Sequence, residues 1–281
     1  MQHPFSQLEQ EYNDLWHSMQ IVRQADIDAA ARRLLGFKSR YSAVSGKTGV
    51  PIVVMATIHN RESDANFKTN LGQGDPLTGP STHVPKGRPP LLPGMTFPVT
   101  WEYAAEDALH IDRLDAVTNW STARALYEQE LYNGFGPRNR GIYTGYLWAG
   151  TNHYTKGKFV ADGKFDPNAV DKQLGTAPIM KRMIELDASL ALPGTSPAGS
   201  PAASNGPAAT PVGVGGGALD TASLQEALNK CGADPQLLVD GNFGRATRAA
   251  VSAFQESAGL EVDGIAGPQT IAALEKKPAT R

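Results

Sequence analysis

Residues 191–217, ALPGTSPAGSPAASNGPAATPVGVGGG, consist of Ala, Pro, Gly, Ser and Thr apart from one Leu, one Asn and two Val. Such a run cannot bury enough apolar surface to offset the entropy of ordering its backbone. It reads as a flexible linker that divides the 281-residue chain into 1–190 and 218–281. The first part is long enough for a sizeable core and the second only for a small one. A formal net charge of −2 gives no bias towards nucleic acid or an acidic membrane surface. The single cysteine, Cys231, excludes an internal disulfide framework and a Cys-rich zinc site. The start, MQHPFSQLEQEYNDLW, lacks the basic region and apolar run of a secretory signal peptide. No apolar stretch approaches the roughly 18 residues that a membrane span requires. The expectation is a protein made in the cytoplasm, which another agent must deliver to any substrate outside it.

Helical spacing is evident at Leu8, Tyr12, Leu15, Trp16 and Met19, predicting a helix over 5–22. A second is predicted over 26–44, capped by Asp26 or Asp28, with a break at Ser45–Gly49. Pro51 suits the start of a third, PIVVMATIHNRES. Its Ile-Val-Val run favours a strand by propensity, but length and Pro51 favour a buried helix, which is the assignment adopted. Residues 64–98 are rich in Gly and Pro without periodicity, the mark of a functional or disordered loop. Helices follow from Thr100, and from Asn119 or Ser121 up to the helix-ending pair Asn133-Gly134. The Gly-, Tyr- and Trp-rich segment after it suits a platform for flat ligands, with Trp148 as a candidate contact. A helix over about 177–190 closes the first part.

The second part contains an internal echo. VDGNFG precedes Thr247 and a run through Phe254-Gln255, and VDGIAG precedes Thr270 and a run through Leu274. Each half is an Asp-Gly turn followed by a capped helix, and Leu219, Leu224, Ala227 and Leu228 supply a first helix. VDGNFGRATRAAVSAFQ and GLEVDGIAGPQTIAAL, within about 219–275, closely resemble the type 1 peptidoglycan-binding domain, a three-helix module of many cell-wall hydrolases. The resemblance implies binding to peptidoglycan glycan strands.

The stretch IHNRESDANFKTNLGQGD carries the chemistry. A carboxyl group where an apolar helix meets a cleft loses hydration, which favours its protonated form, whereas a second carboxylate on a solvated loop stays ionised. Two carboxylates in unlike surroundings are what hydrolysis of a glycosidic bond requires. RESDANFKTNLGQGD resembles the catalytic segment of goose-type lysozymes and soluble lytic transglycosylases. Glu62-Ser63 ends the helix, Gly72-Gln73-Gly74-Asp75 follows, and Tyr132-Asn133-Gly134 stands where that family has a cleft-lining Tyr-Asn motif. The family's Gly-Leu-Met-Gln segment is absent where Ser81-Thr82-His83-Val84-Pro85 stands. The resemblance, over about 45–136, implies a mainly α protein with a lysozyme-like α+β catalytic domain at 1–190, a long irregular active-site loop, and a tethered three-helix bundle at 218–281.

It also implies roles. Glu62 would protonate the oxygen between N-acetylmuramic acid and N-acetylglucosamine, and Asp75 would orient water or stabilise the oxocarbenium-like transition state. Ser63, Gln73, Tyr132 and Asn133 would position the acid or the substrate. No cofactor is required, no nucleic-acid or membrane partner is expected, and the protein is expected to be a monomer. Delivery to the wall would follow holin-type release from a phage-infected cell, as for endolysins, or injection by a secretion machine. The alternative within glycan cleavage is a lytic transglycosylase, in which Glu62 acts alone and the substrate's 6-hydroxyl attacks. A zinc amidase or peptidase would need three ligands and a base. The six histidines (3, 17, 59, 83, 110 and 153) form no HExxH pairing, leaving His59, His83 and His153 as a candidate trio. A non-catalytic wall-binding protein is the remaining class.

Overall fold

The structure is a computed structural model and describes residues 3–72, 74–83, 85–161, 163–195, 219–234, 236–241, 243, 245–260, 264 and 266–276. It is mainly helical. The first domain comprises α1 (Phe5–Ser18), α2 (Gln24–Leu35), α3 (Lys38–Thr48), α4 (Ile52–Ser63), α5 (Trp101–Ile111), α6 (Thr122–Asn133), the short α7 (Gly145–Trp148) and α8 (Thr176–Leu186). Between α7 and α8 lies an antiparallel hairpin, β1 (Lys158–Ala161) and β2 (Lys164–Asp166), which pairs Phe159 with Phe165.

α4 is the axis of the core. Pro51 precedes it as its N-cap, so its ring occupies a position that needs no amide donor. Val53, Val54, Met55, Ala56, Thr57, Ile58 and His59 are all fully buried. Burial on every side is why the helix lacks an apolar stripe and why propensity alone leaves it ambiguous with a strand. Around it, α1 packs on α6, α2 and α4 pack on α8, and α3 packs on α5. A buried polar set locks α1 to α6. The Tyr12 hydroxyl donates to Glu130 Oε2 at 2.7 Å, and Arg138 grips both Glu130 oxygens at 3.0 and 2.9 Å. Arg138 therefore ties the segment after α6 to the helix pair beneath it.

Four expected boundaries move. The helix predicted over 5–22 stops at Ser18, because Gln20 donates its backbone N–H to the Asn152 side chain and Ile21 bridges to Thr151. The stretch 26–44 is two helices, α2 and α3, parted at Gly36-Phe37. The predicted break at Ser45–Gly49 is instead the last turn of α3, which Gly49 ends at φ +72°, a conformation that favours glycine. A glycine such as Gly46 costs a helix only about 1 kcal/mol, and buried Tyr41 and Val44 outweigh it. The caps at Thr100 and Ser121 form as expected, accepting from Tyr103 N and Arg124 N. α8 ends at Leu186, before a short 3-10 turn at Ala188–Leu190.

The chain stays bonded to the first domain through Thr195, five residues into the stretch read as linker. Pro193 O accepts from Thr122 N, and Thr195 O accepts from the Trp16 indole. All four tryptophans (16, 101, 120 and 148) belong to this domain, and Trp16, Trp101 and Trp148 are buried in it.

The second domain is the expected trio, α9 (Thr221–Lys230), α10 (Arg245–Ser257) and α11 (Pro268–Lys276), around Leu224, Leu228, Val251, Phe254 and Leu274. Its internal echo has a polar cause. Buried Gln225 accepts from Asp240 N and Gly241 N and donates to Thr247 Oγ1. Buried Gln255 likewise accepts from Gly264 N and donates to Thr270 Oγ1. Each glutamine of one helix pins the Asp-Gly turn and the first turn of the next helix.

His59 gives the core a pH dependence. Its Nδ1 lies 3.0 Å from the Tyr41 hydroxyl, within a cluster formed with Phe67 and Trp101. Burial pushes its pKa down to about 4. The unfolded chain therefore takes up this proton before the folded chain does. The contribution of neutral His59 is complete above the ordinary imidazole value and is lost as pH falls from there towards 4. The expected loss is about 3 kcal/mol between pH 7 and 4. In urea titrations, His59→Gln should flatten the pH dependence by about that amount. Equal slopes for variant and wild type would refute this account.

Candidate functional site

The buried α4 delivers Glu62 to the surface at its last turn, where the residue is exposed. The expectation of a dehydrated acid is thus corrected: the helix is buried, but its final carboxylate emerges into solvent. The helix stops because Asp64 and Ala65 take left-handed conformations, at φ 54° and 55°. Two such non-glycine residues in succession are uncommon and mark a site where surrounding structure imposes the backbone. Here Asp64 N and Ala65 N bond back to Asn60 O and His59 O, and Arg33 donates to the Asp64 carbonyl and pairs with its carboxylate.

The Tyr146 hydroxyl donates to Glu62 Oε1 at 2.9 Å. Burial, reinforced by the Glu62 charge, raises the Tyr146 pKa well above its ordinary value, so the phenol stays a neutral donor. Arg61 lies under the same ring, 5.1 Å from its centre, and pairs with Asp171 in a buried ion pair. Gly145 permits this approach, since a Cβ there would stand 2.8 Å from Asp171 Cβ. Arg61, Asn133, Thr144, Gly145, Tyr146 and Lys158 contribute to the lining of a cleft of about 380 Å³. Glu62 does not line this cleft and adjoins it through Tyr146.

Tyr132 is buried, its ring 6.4 Å from that of Tyr146, and its hydroxyl lies 3.5 Å from Leu71 O. It therefore links the 64–98 loop to the Tyr146 side of the site. Asn133 reaches Gly134 O and Thr144 Oγ1, both at 3.4 Å. Ser63 turns away from Glu62, donating to His59 O within its own helix. Gln73 lies outside the described residues. Trp148 is corrected outright: it is fully buried beside His153, so it cannot offer a face to a ligand. Trp148 itself belongs to the core, while other residues of its segment, Thr144, Gly145, Tyr146 and Lys158, line the cleft.

The 64–98 loop is organised by its own polar groups. Asn70 N donates to Asp75 O, Gly74 N to the Asn70 side chain, and Leu77 N to Lys68 O. Gly74 holds φ +72°. Asp75 is buried, contrary to the expectation of a solvated carboxylate, yet it remains ionised. Burial alone would raise its pKa, but donors prevail and hold it below the ordinary carboxylate value. They are Thr82 Oγ1 at 2.8 Å, His83 N at 3.2 Å and His83 Nδ1 at 3.0 Å. Buried Ser81 fixes this lobe by bonding to Pro85 and Arg88. The segment that departs from the lysozyme pattern is thus the one that engages Asp75.

The candidate zinc trio is not assembled. His59 is buried beside Tyr41, His83 sits on the loop with Asp75, and His153 bonds to Leu15 O beside Trp148. Arg61, Tyr146 and Asp171 were not foreseen as site residues, and His83 was foreseen only as a zinc candidate. Arg61 adjoins Glu62 in sequence, but Tyr146 and Asp171 are brought to it only by folding.

Residues 218–274 match the family model of the peptidoglycan binding domain. One curated relative, the zinc D-Ala-D-Ala carboxypeptidase of Streptomyces albus G, is 59% identical over 39 residues, covering 14% of this chain and 15% of that protein. No solved structure matches. No helix among the described residues is long and apolar enough to cross a membrane. The chain carries a peptidoglycan-binding domain at 218–274, which associates it with the cell wall.

Proposed function

We propose that the first domain is an N-acetylmuramidase that cleaves the β-1,4 bond between N-acetylmuramic acid and N-acetylglucosamine. The observation that carries this reading is Glu62 at the exposed end of a buried helix, held through one oxygen by Tyr146 beside a polar cleft. A wall-binding module on the same chain supports peptidoglycan as the substrate. Glu62 gives its proton to the glycosidic oxygen as the bond to C1 breaks. Asp75, kept ionised by its hydrogen bonds, is the second carboxylate, serving the water or the developing positive charge. Tyr132 contacts the loop that carries Asp75, and Asn133 lines the cleft. Ser63 supports the end of α4 rather than the substrate. The module keeps the cleft near its polymer, and the chain acts at the wall after holin-type release or injection.

Glu62→Gln keeps the acceptor for Tyr146 but removes the proton. Release of reducing ends from purified sacculi should fall about a hundredfold or more. Wild-type release from a folded variant would exclude this assignment.

Tyr146→Phe removes one hydrogen bond to a carboxylate and leaves the ring on Arg61. Because bonds to charged groups contribute about 1.5–3 kcal/mol, kcat should fall about tenfold or more with little change in KM. An unchanged kcat would mean that the phenol does not orient the acid.

Removing 218–281 should leave cleavage of soluble glycan fragments intact while weakening retention on insoluble sacculi, since the tether supplies effective concentration. Equal pull-down of both forms would contradict a targeting role.

A further inference from the structure

Asp75 is a buried anion whose carboxylate is directed at one histidine. Its Oδ1 lies 3.0 Å from His83 Nδ1, and its Oδ2 accepts from the backbone N–H of the same residue. Thr82 Oγ1 adds a donor at 2.8 Å. The two side chains differ sharply in exposure: that of Asp75 is 6% exposed and that of His83 is 75% exposed. An ionised carboxylate at Nδ1 fixes the neutral tautomer with its proton on that nitrogen, leaving a lone pair on Nε2. A buried acid thus orients an imidazole whose other nitrogen is an acceptor on a solvent-exposed side chain. This is the arrangement that makes histidine a general base on many unrelated folds. Ser81 fixes the segment that carries it, and the Leu71 end of the same loop contacts Tyr132, next to Tyr146 and Glu62.

We infer that His83 is the group that takes the proton from the attacking water, with Asp75 acting through it as a positioning residue. The inference rests on the glycan-cleavage reading and assigns its missing base. As the water O–H bond breaks, its proton passes to His83 Nε2 and its oxygen bonds to C1 of the muramic acid. The bond from C1 to the glycosidic oxygen breaks, and Glu62 protonates the departing oxygen. Each group then recovers its starting state by exchanging one proton with solvent.

The test uses the full chain with His83→Ala and His83→Gln, assayed on solubilised glycan strands with product analysis by mass spectrometry. The exposed side chain makes both variants foldable, and melting temperatures confirm it. In both, kcat should fall about a hundredfold while KM stays within about threefold. Added imidazole should restore turnover to His83→Ala, which a residue that merely staples the loop would not allow. The inference is overturned if kcat stays near wild type, if the loss lies wholly in KM, or if imidazole restores nothing. It is overturned too if the wild-type products end in 1,6-anhydro sugars, because the substrate's own hydroxyl then replaces water. Failure of the glycan-cleavage reading looks different: the wild type itself would release neither reducing nor anhydro ends.

Discussion

The geometry of the candidate acid depends on the buried ion pair between Arg61 and Asp171. Both side chains are almost wholly withdrawn from solvent, so removing Asp171 would strand the Arg61 charge, at a cost of about 3–5 kcal/mol, whereas Asp171 has a second cation in Lys158 at 3.3 Å. The pair joins the last turn of α4 to the segment that leads into α8. Arg61 also donates to Leu174 O, while Gln173 reaches back to the Arg61 carbonyl. Tyr146 rests on the guanidinium and meets Glu62 with its hydroxyl. The charge pair beneath Tyr146 thus helps to position the phenol that meets Glu62. Well-packed apolar residues could supply comparable stability, but they would not orient the phenol through the same contacts.

The second carboxylate is held by a different device. Around Asp75 no long-range ion pair is needed, because the loop closes on itself through Asn70, Gly74, Ser81 and Thr82. Leu71 and Leu77 are its apolar anchors, both buried. A long Gly- and Pro-rich segment thereby becomes ordered without secondary structure, its backbone polar groups satisfied locally. The two candidate carboxylates therefore stand on supports of different kinds: one on a helix fixed by the core, the other on a self-bonded loop.

Much of this frame is legible in the sequence, and the parts that are not share a cause. Pro51, Thr100, Ser121 and Gly134 mark helix ends through local chemistry, and local chemistry is what a sequence displays. The Asp-Gly turns of the second domain are likewise visible, since they recur with their threonines. Trp148 misleads because an aromatic side chain looks the same in a core as on a platform, and only tertiary packing separates the two. The exposure of Glu62 and the burial of Asp75 reverse the expected environments for the same reason. Hydration of a side chain is set by its neighbours in space, and His83, Tyr146 and Asp171 become neighbours only in the folded chain.

The distribution of aromatic residues has a spectroscopic consequence. Every tryptophan and every tyrosine lies before residue 195, while residues 218–281 contain phenylalanine as their only aromatic type. Trp16, Trp101 and Trp148 are buried, so tryptophan emission follows the melting of the first domain alone. Circular dichroism in the far ultraviolet registers helices of both. The two signals coincide only if the domains unfold together, so their separation measures how far contacts such as Arg248 with the Asp112 carbonyl couple the two cores. The intact chain thus carries its own built-in optical label, one that distinguishes the stability of the catalytic candidate from that of the wall-binding module without cutting the tether.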